Sequence, residues 1–235
     1  MTNLIAAMAY FLLIHLLISG TRLRDALVRA IGQGPYFGLF VVLSFIGVGW
    51  LAWGYGQARI DPANAVYWGV TDTTRAIQIA VQLIAFIFIV AGMMTPNPTS
   101  VRAVVPRGEN VMDKPNLVQG MLRITRHPFL WGASLWAAGH LLVNGDSASF
   151  ILFGGILVLS LVGTRSIDAK RRRSMGEKWK AFARQTSNVP FAAILSGRQN
   201  LNLGEIGWRK LAAGVAVWAI LLVIHPYLFG VPALG

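Results

Sequence analysis

Residues 126–144 read RHPFLWGASLWAAGHLLVN. From Pro128 onward the stretch is apolar without any alternation of polar and apolar positions, so it reads as a helix rather than a strand. Proline at its opening suits a helix start, where the missing N–H would have had no partner. The run nevertheless carries one imidazole at its mouth, His127, and another inside it, His140. An imidazole in hydrocarbon is costly unless it has a partner, so by default it marks a site.

Working outward, five more apolar runs flank this one, approximately Asn3 to Ser19, Tyr36 to Tyr55, Thr74 to Met94, Ser149 to Ser166 and Lys210 to Gly230. Each comes near the roughly 20 residues that a helix needs to cross a bilayer core. None alternates as barrel strands do. The expectation is an all-α, polytopic transmembrane bundle of about six helices in a single domain over residues 1–235. Composition agrees, with 55% hydrophobic residues, 13% charged and eight tryptophans in 235.

The chain has no cysteine, which removes disulfides, thiolate metal sites and cysteine nucleophiles. A net charge of +12 would suit nucleic acid on a soluble module, but here the basic residues stand between apolar runs. Anionic lipid at basic cytoplasmic loops is therefore the expected partner, and nucleic acid is not.

The basic residues also set an expected orientation. Connections after runs one, three and five hold Arg22, Arg24 and Arg29; Arg102, Arg107, Lys114, Arg123 and Arg126; and a dense group from Arg165 and Lys170 to Lys210. The other side shows Arg59 and Arg75. By the positive-inside rule, both termini lie outside the cytoplasm. The first run follows no basic segment and precedes its positive charges, so it reads as a retained anchor rather than a cleaved signal. Thr95 to Pro115, with four prolines, reads as a cytoplasmic loop without regular structure. Between Ile167 and Phe182 the fifth helix is expected to continue as a cytoplasmic amphipathic helix along the headgroups, with Ile167, Met175, Trp179 and Phe182 near one face. Asn188 to Phe191 then end it.

Depth sorts the four histidines. At about 1.5 Å per residue, His140 lies about 20 Å beyond His127, and a turn of about 1300° between them puts the rings on roughly opposite faces. They cannot ligate one metal together. His15 lies about 18 Å into the first run, at a depth within a turn or two of His140, so a facing pair from helices one and four is compatible with the spacing. His225, near the outer end of the last run, is an alternative partner for His140. Two imidazoles without cysteine or nearby carboxylates are too few for zinc, whereas haem iron needs only one or two axial groups. Gly132, Trp136 and His140 share a stripe that would leave room for a flat ring. The competing reading is that Gly132, Ala133, Ala137 and Gly139 let helices pack and that His140 bonds a neighbouring helix; spacing alone favours it.

Other chemistry is thinly represented. Ser44 and Ser134 have no evident base and acid, and no glycine-rich loop joins a strand to a helix. Gln78 and Gln82 share a helix face, where they either line a polar cavity or bond between helices. The basic group at Arg123, Arg126, Arg165 and Lys170 to Arg173 suits an anion, either lipid phosphate or haem propionates, or snorkels toward headgroups.

The stretches HLLISGTRLR, RHPFLWGASLWAAGHLLVNGDSAS and HPYLFGVPAL, in this order, resemble the NnrU family of bacterial membrane proteins, named from denitrification gene clusters. The resemblance covers nearly the whole chain and implies a bacterial inner-membrane protein linked to denitrification or nitric oxide metabolism, either haem-dependent or a noncatalytic accessory. It extends to 15-cis-zeta-carotene isomerase, a membrane haem b protein with the same thirteen-residue interval after Arg-His-Pro. This implies haem b with His15 and His140 as axial ligands, Arg126 and His127 as supporting cofactor-side residues, and an apolar, lipid-soluble substrate. The chain is also similar to isoprenylcysteine carboxyl and phospholipid methyltransferases, which use Arg-His-Pro-x-Tyr-x-Gly and a later Glu-Glu pair to bind S-adenosylmethionine. Arg126, His127, Pro128 and Gly132 match, and Gly176, Trp179 and Val189-Pro190 keep the outline of the later region. However, Phe129, Leu130 and Trp131 fill the middle, and Asp168 is the nearest acid on helix five. Those departures imply a related fold without methyl transfer.

Overall fold

A computed structural model describes residues 1–99, 112 and 116–234. The chain opens with α1 (Thr2–Leu12), continued by a π-helical segment, Leu13–Ile18. It then turns through 80° into α2 (Arg22–Ile31), whose first turn is capped by the Thr21 hydroxyl accepting from Leu23 N–H. Next come α3 (Gln33–Arg59), a short strand β1 (Val66–Trp68) and α4 (Asp72–Met93). They are followed by α5 (Met121–Ile124), α6 (Pro128–Val143), β2 (Gly145–Asp146) and α7 (Ser147–Ser149). A second π-helical segment, Phe150–Gly154, runs into α8 (Gly155–Gln185). Then come α9 (Ala192–Leu195), a 3-10 turn, Leu203–Ile206, and α10 (Trp208–Phe229).

All six expected apolar runs form helices in the expected order. Among the described residues, α3, α4, the helical stretch Ser147–Gln185 and α10 are each long and apolar enough to cross a membrane, and Thr2–Ile18 with α2 makes a bent fifth. The sixth, α6, has 16 residues, so its length of about 24 Å falls short of a ~30 Å hydrocarbon core. Its ends are chemically set. Pro128 occupies the first turn, and Asn144 Nδ2 closes the other end by donating to His140 O. Thr71 and Thr74 form a reciprocal capping box at the start of α4.

Helix α6 packs most closely on α4. A Cβ on Gly132 would lie 2.8 Å from Ala85 O, and one on Gly92 would lie 2.8 Å from Phe129 N, so the two backbones approach where only glycine fits. The stripe expected to leave room for a flat ring is thus taken up at Gly132 by α4. On the bundle's outside, Phe45 of α3 is 74% exposed and Val223 of α10 is 66% exposed, as lipid-facing side chains are. The two strands pair antiparallel, Val66 with Asp146, and tie together the connections at one end of the bundle.

Two sequence expectations need correction. The segment Arg22 to Arg29, read as a connection, is the helix α2. The amphipathic extension beyond Ser166 exists, but it breaks at Gly176 (φ 54°, ψ −124°). Trp179 and Phe182 beyond the break are buried against Leu122 rather than laid on headgroups. Burial against the protein wins because α5 presents an apolar side chain to them and Arg126 lies over the Trp179 ring at 5.9 Å. The connection expected from Thr95 to Pro115 lies for the most part outside the described residues.

Candidate functional site

At the start of α6 the chain makes one polar knot. Arg126 grips Asp168 of α8 with two nitrogens, Nε at 2.9 Å from Oδ1 and Nη2 at 2.5 Å from Oδ2. His127 Nε2 donates to Asp168 Oδ1 at 2.7 Å, and Asn188 Nδ2 donates to Oδ2 at 3.2 Å. Backbone bonds hold the knot in place: Arg126 N donates to Ser187 O, and Trp131 Nε1 to Asn188 O. Asp168 is 9% exposed and His127 2%. The loop after α8 therefore closes over the mouth of α6.

Burial opposes the Asp168 charge, but hydrogen bonds from His127 and Arg126 outweigh it and hold the carboxyl well below the usual carboxylate range. Burial also pushes the His127 imidazole down, against the pull of Asp168, so the neutral ring is favoured. A neutral ring donating through Nε2 keeps its lone pair on Nδ1, and that buried atom has no hydrogen bond among the described residues. Beside the knot, Arg123 makes a second two-point ion pair with Glu205, at 2.6 and 2.8 Å, fastening the segment before α10 to α5.

The membrane-embedded histidines share a different arrangement. His15 Nδ1 lies 2.9 Å from Phe11 O, His140 Nδ1 lies 2.8 Å from Trp136 O and His225 Nδ1 lies 2.7 Å from Val231 O. His140 Nδ1 also lies 3.1 Å from the Gln82 Nε2 donor. In His15 and His225 the carbonyl oxygen only accepts, so Nδ1 carries the proton and Nε2 keeps its lone pair. This is the tautomer of a metal-ligating histidine whose other nitrogen is fixed by the backbone. Gln82 Nε2 reaches the same Trp136 carbonyl at 3.0 Å, which makes it a bond between helices rather than the lining of a polar cavity. The His140 ring stacks on Phe153 at 4.7 Å, within the second π-helical segment, and His15 lies within the first. Such segments are frequent at functional sites.

The structure brings Arg126 and His127 together and keeps His15 and His140 apart. Along α8, Met8 packs on Gly155 and Gly20 on Ser166, whereas His140 packs on Phe153. His15 therefore lies nearer the basic side than His140 by about 12 Å, or roughly two helical turns. His15 is enclosed instead by Phe11 and Phe40, with ring centroids at 4.2 and 5.1 Å. As donors the rings suit a haem iron one by one, but His15 and His140 do not converge on one iron in this conformation. Asp168 was missed as a site residue by sequence reasoning, and the only signal was its being the nearest acid on helix five.

Across residues 3–233 the chain matches the profile of a family described as NnrU protein. The chain belongs to the NnrU family. Its curated relatives include the chloroplastic 15-cis-zeta-carotene isomerases of Zea mays, 37% identical over 93 residues, and of Arabidopsis thaliana, 34% identical over 93 residues. Each match takes 38% of this NnrU chain and 25% of the isomerase, so the chain corresponds to about a quarter of those relatives. No solved structure matches. This NnrU protein is thus a multi-pass helical membrane protein related in part of its length to carotenoid isomerases.

Proposed function

We propose that this NnrU protein binds haem b inside the bilayer and acts on an apolar substrate that enters from lipid, as an isomerase-like enzyme. His15 and His140 would hold the haem iron, a pairing that requires α1 to move along α8 by the axial offset between them, with His225 as the alternative to His15; Arg126 and His127 would support the cofactor side of the site. The observation that carries this reading is the shared placement of Nδ1 against a backbone carbonyl, which turns Nε2 away from the backbone and leaves it available to ligate. When bound, haem would supply an iron whose redox state can govern isomerisation of a double bond. The chain's own contribution is to orient the imidazoles, exclude water through the aromatic rings around them, and brace the mouth of α6 through Asp168.

Part of the proposal concerns place. The concentration of Lys and Arg in α2, in Arg123 and Arg126, and from Lys170 to Lys210 supports a bacterial inner-membrane protein with both termini outside the cytoplasm and its basic side facing anionic lipid. The axial offset between His15 and His140 favours a second reading, an accessory protein of denitrification. In it one histidine alone would hold the iron, and the iron would supply the binding position for nitric oxide.

One experiment separates the two readings. Haem-loaded protein in liposomes is given a cis-polyene in the dark under reducing conditions, and in a parallel sample nitric oxide. Turnover of the polyene with little spectral response to nitric oxide supports the enzyme; an immediate nitric oxide spectrum with no polyene conversion supports the accessory role. Absence of both responses in haem-loaded protein would overturn both readings.

A further inference from the structure

A cavity of about 640 Å³ opens between α2 and the cytoplasmic-side half of α8. Six basic residues line it, Arg22, Arg24, Arg29, Lys170, Arg171 and Arg173, against one carboxylate, Asp25. Asp25 is already engaged, with Arg24 Nη1 at 3.2 Å from its Oδ1. Arg24 also lies 5.6 Å over the Tyr36 ring. Lys170 Nζ reaches Ser19 O at 3.4 Å, which turns the lysine toward the bend between the first π-helical segment and α2. Burial, with Arg171 and Arg24 beside it, pushes Lys170 down to about 8. So much like charge converging on a partly enclosed space is unfavourable unless an anion shares it.

Depth identifies the kind of anion. α2 meets the preceding helix at 80°, so it lies across the bundle axis rather than along it. Leu23, Leu27 and Ile31 recur at helical spacing, and Leu23 and Ile31 are 46% and 44% exposed, as expected of a face resting on lipid. The other face supplies Arg22, Asp25 and Arg29 to the cavity. A helix lying at the interface with its basic face lining a cavity holds that cavity at headgroup level.

We propose that the α2–α8 cavity binds the phosphate of an anionic lipid headgroup, with Arg24, Arg29 and Lys170 as its principal contacts. The proposal rests on the reading that the basic side faces anionic lipid, and sharpens that reading to one site. Guanidinium groups suit phosphate oxygens because they donate in a planar fork, and a two-phosphate headgroup such as that of cardiolipin would use more of the six cations than a single phosphate.

The test uses the full-length protein in mild detergent, offered cardiolipin and read by native mass spectrometry, with inorganic phosphate added to a second aliquot. Wild type should retain cardiolipin, and the combined Arg24→Gln, Arg29→Gln, Lys170→Gln variant should bind it about a hundredfold more weakly. Displacement by dilute inorganic phosphate would support the same phosphate chemistry with a soluble source. The Arg24→Lys, Arg29→Lys variant keeps the charge but loses the planar fork, so it should bind cardiolipin more weakly than wild type yet clearly more tightly than the glutamine variant, which guards against misfolding as the cause of a loss. A control variant, Lys180→Gln, Arg184→Gln, Arg209→Gln, removes the same charge outside the cavity. Equal loss in control and cavity variants overturns the site while leaving general lipid attraction standing. No loss in either variant overturns the attraction as well.

Discussion

Asp168 accepts His127 Nε2–H at 2.7 Å across 41 residues of chain, and this contact joins the mouth of α6 to α8. The same carboxylate also neutralises Arg126. One acid thus satisfies two side chains of the Arg-His-Pro element, and removing it strands both.

Asp168→Asn should therefore cost about 3 kcal/mol of stability, the scale for breaking a mostly buried pair. The measurement is thermal unfolding of the detergent-solubilised protein followed by tryptophan fluorescence. An unchanged midpoint would contradict the bracing role of this contact.

Acid should destabilise the same knot in two steps. His127 is held below its ordinary value, so the unfolded chain binds the extra proton first, and stability falls as pH drops below about 6.5. Asp168 is also depressed, so its contribution is present above about 3.9 and is lost as pH falls further. Unfolding midpoints measured between neutral and acid pH should decline in wild type. In His127→Gln the decline near pH 6.5 should shrink; if it persists unchanged, His127 is not its source.

Helix packing offers a prediction by contrast. Gly132→Ala drives a Cβ to within 2.8 Å of the Ala85 carbonyl oxygen and should destabilise by about 1–3 kcal/mol. At Gly163 the nearest atom is a leucine methyl at 3.6 Å, an ordinary contact, so Gly163→Ala should be neutral or slightly stabilising because alanine favours helix. Equal effects of the two substitutions on thermal unfolding would mean that α4 and α6 do not approach as described.

Orientation can be read without removing any native thiol, since the chain has none. Leu234→Cys should react with a membrane-impermeant maleimide on intact spheroplasts, and Ser174→Cys only after permeabilisation. The reverse pattern would place the basic side outside.

These features differ in how far the sequence reveals them. Thr74 to Met94 anticipates α4 closely because apolar length is a local signal. Helix α2 was hidden because its charges resemble a connection, and its Thr21 cap becomes evident only with the bend. Asp168 was visible only as a departure from a Glu-Glu pattern, since a contact across 41 residues has no periodicity to betray it. Trp179 and Phe182 show the same limit: amphipathic spacing says that a face is buried, and only packing says whether lipid or Leu122 buries it. The depth offset of His15 and His140 likewise depends on how α1 and α6 each register against α8.

Haem ligation by the membrane histidines is the central claim, and the absorption spectrum of protein purified from haem-supplemented cells tests it most directly. The account predicts a Soret band in wild type that shifts on dithionite reduction and is lost in both His15→Ala and His140→Ala, with His225→Ala retaining it. Loss in His140→Ala and His225→Ala, but not in His15→Ala, would transfer the second ligand to His225. A colourless wild-type preparation would contradict haem binding altogether.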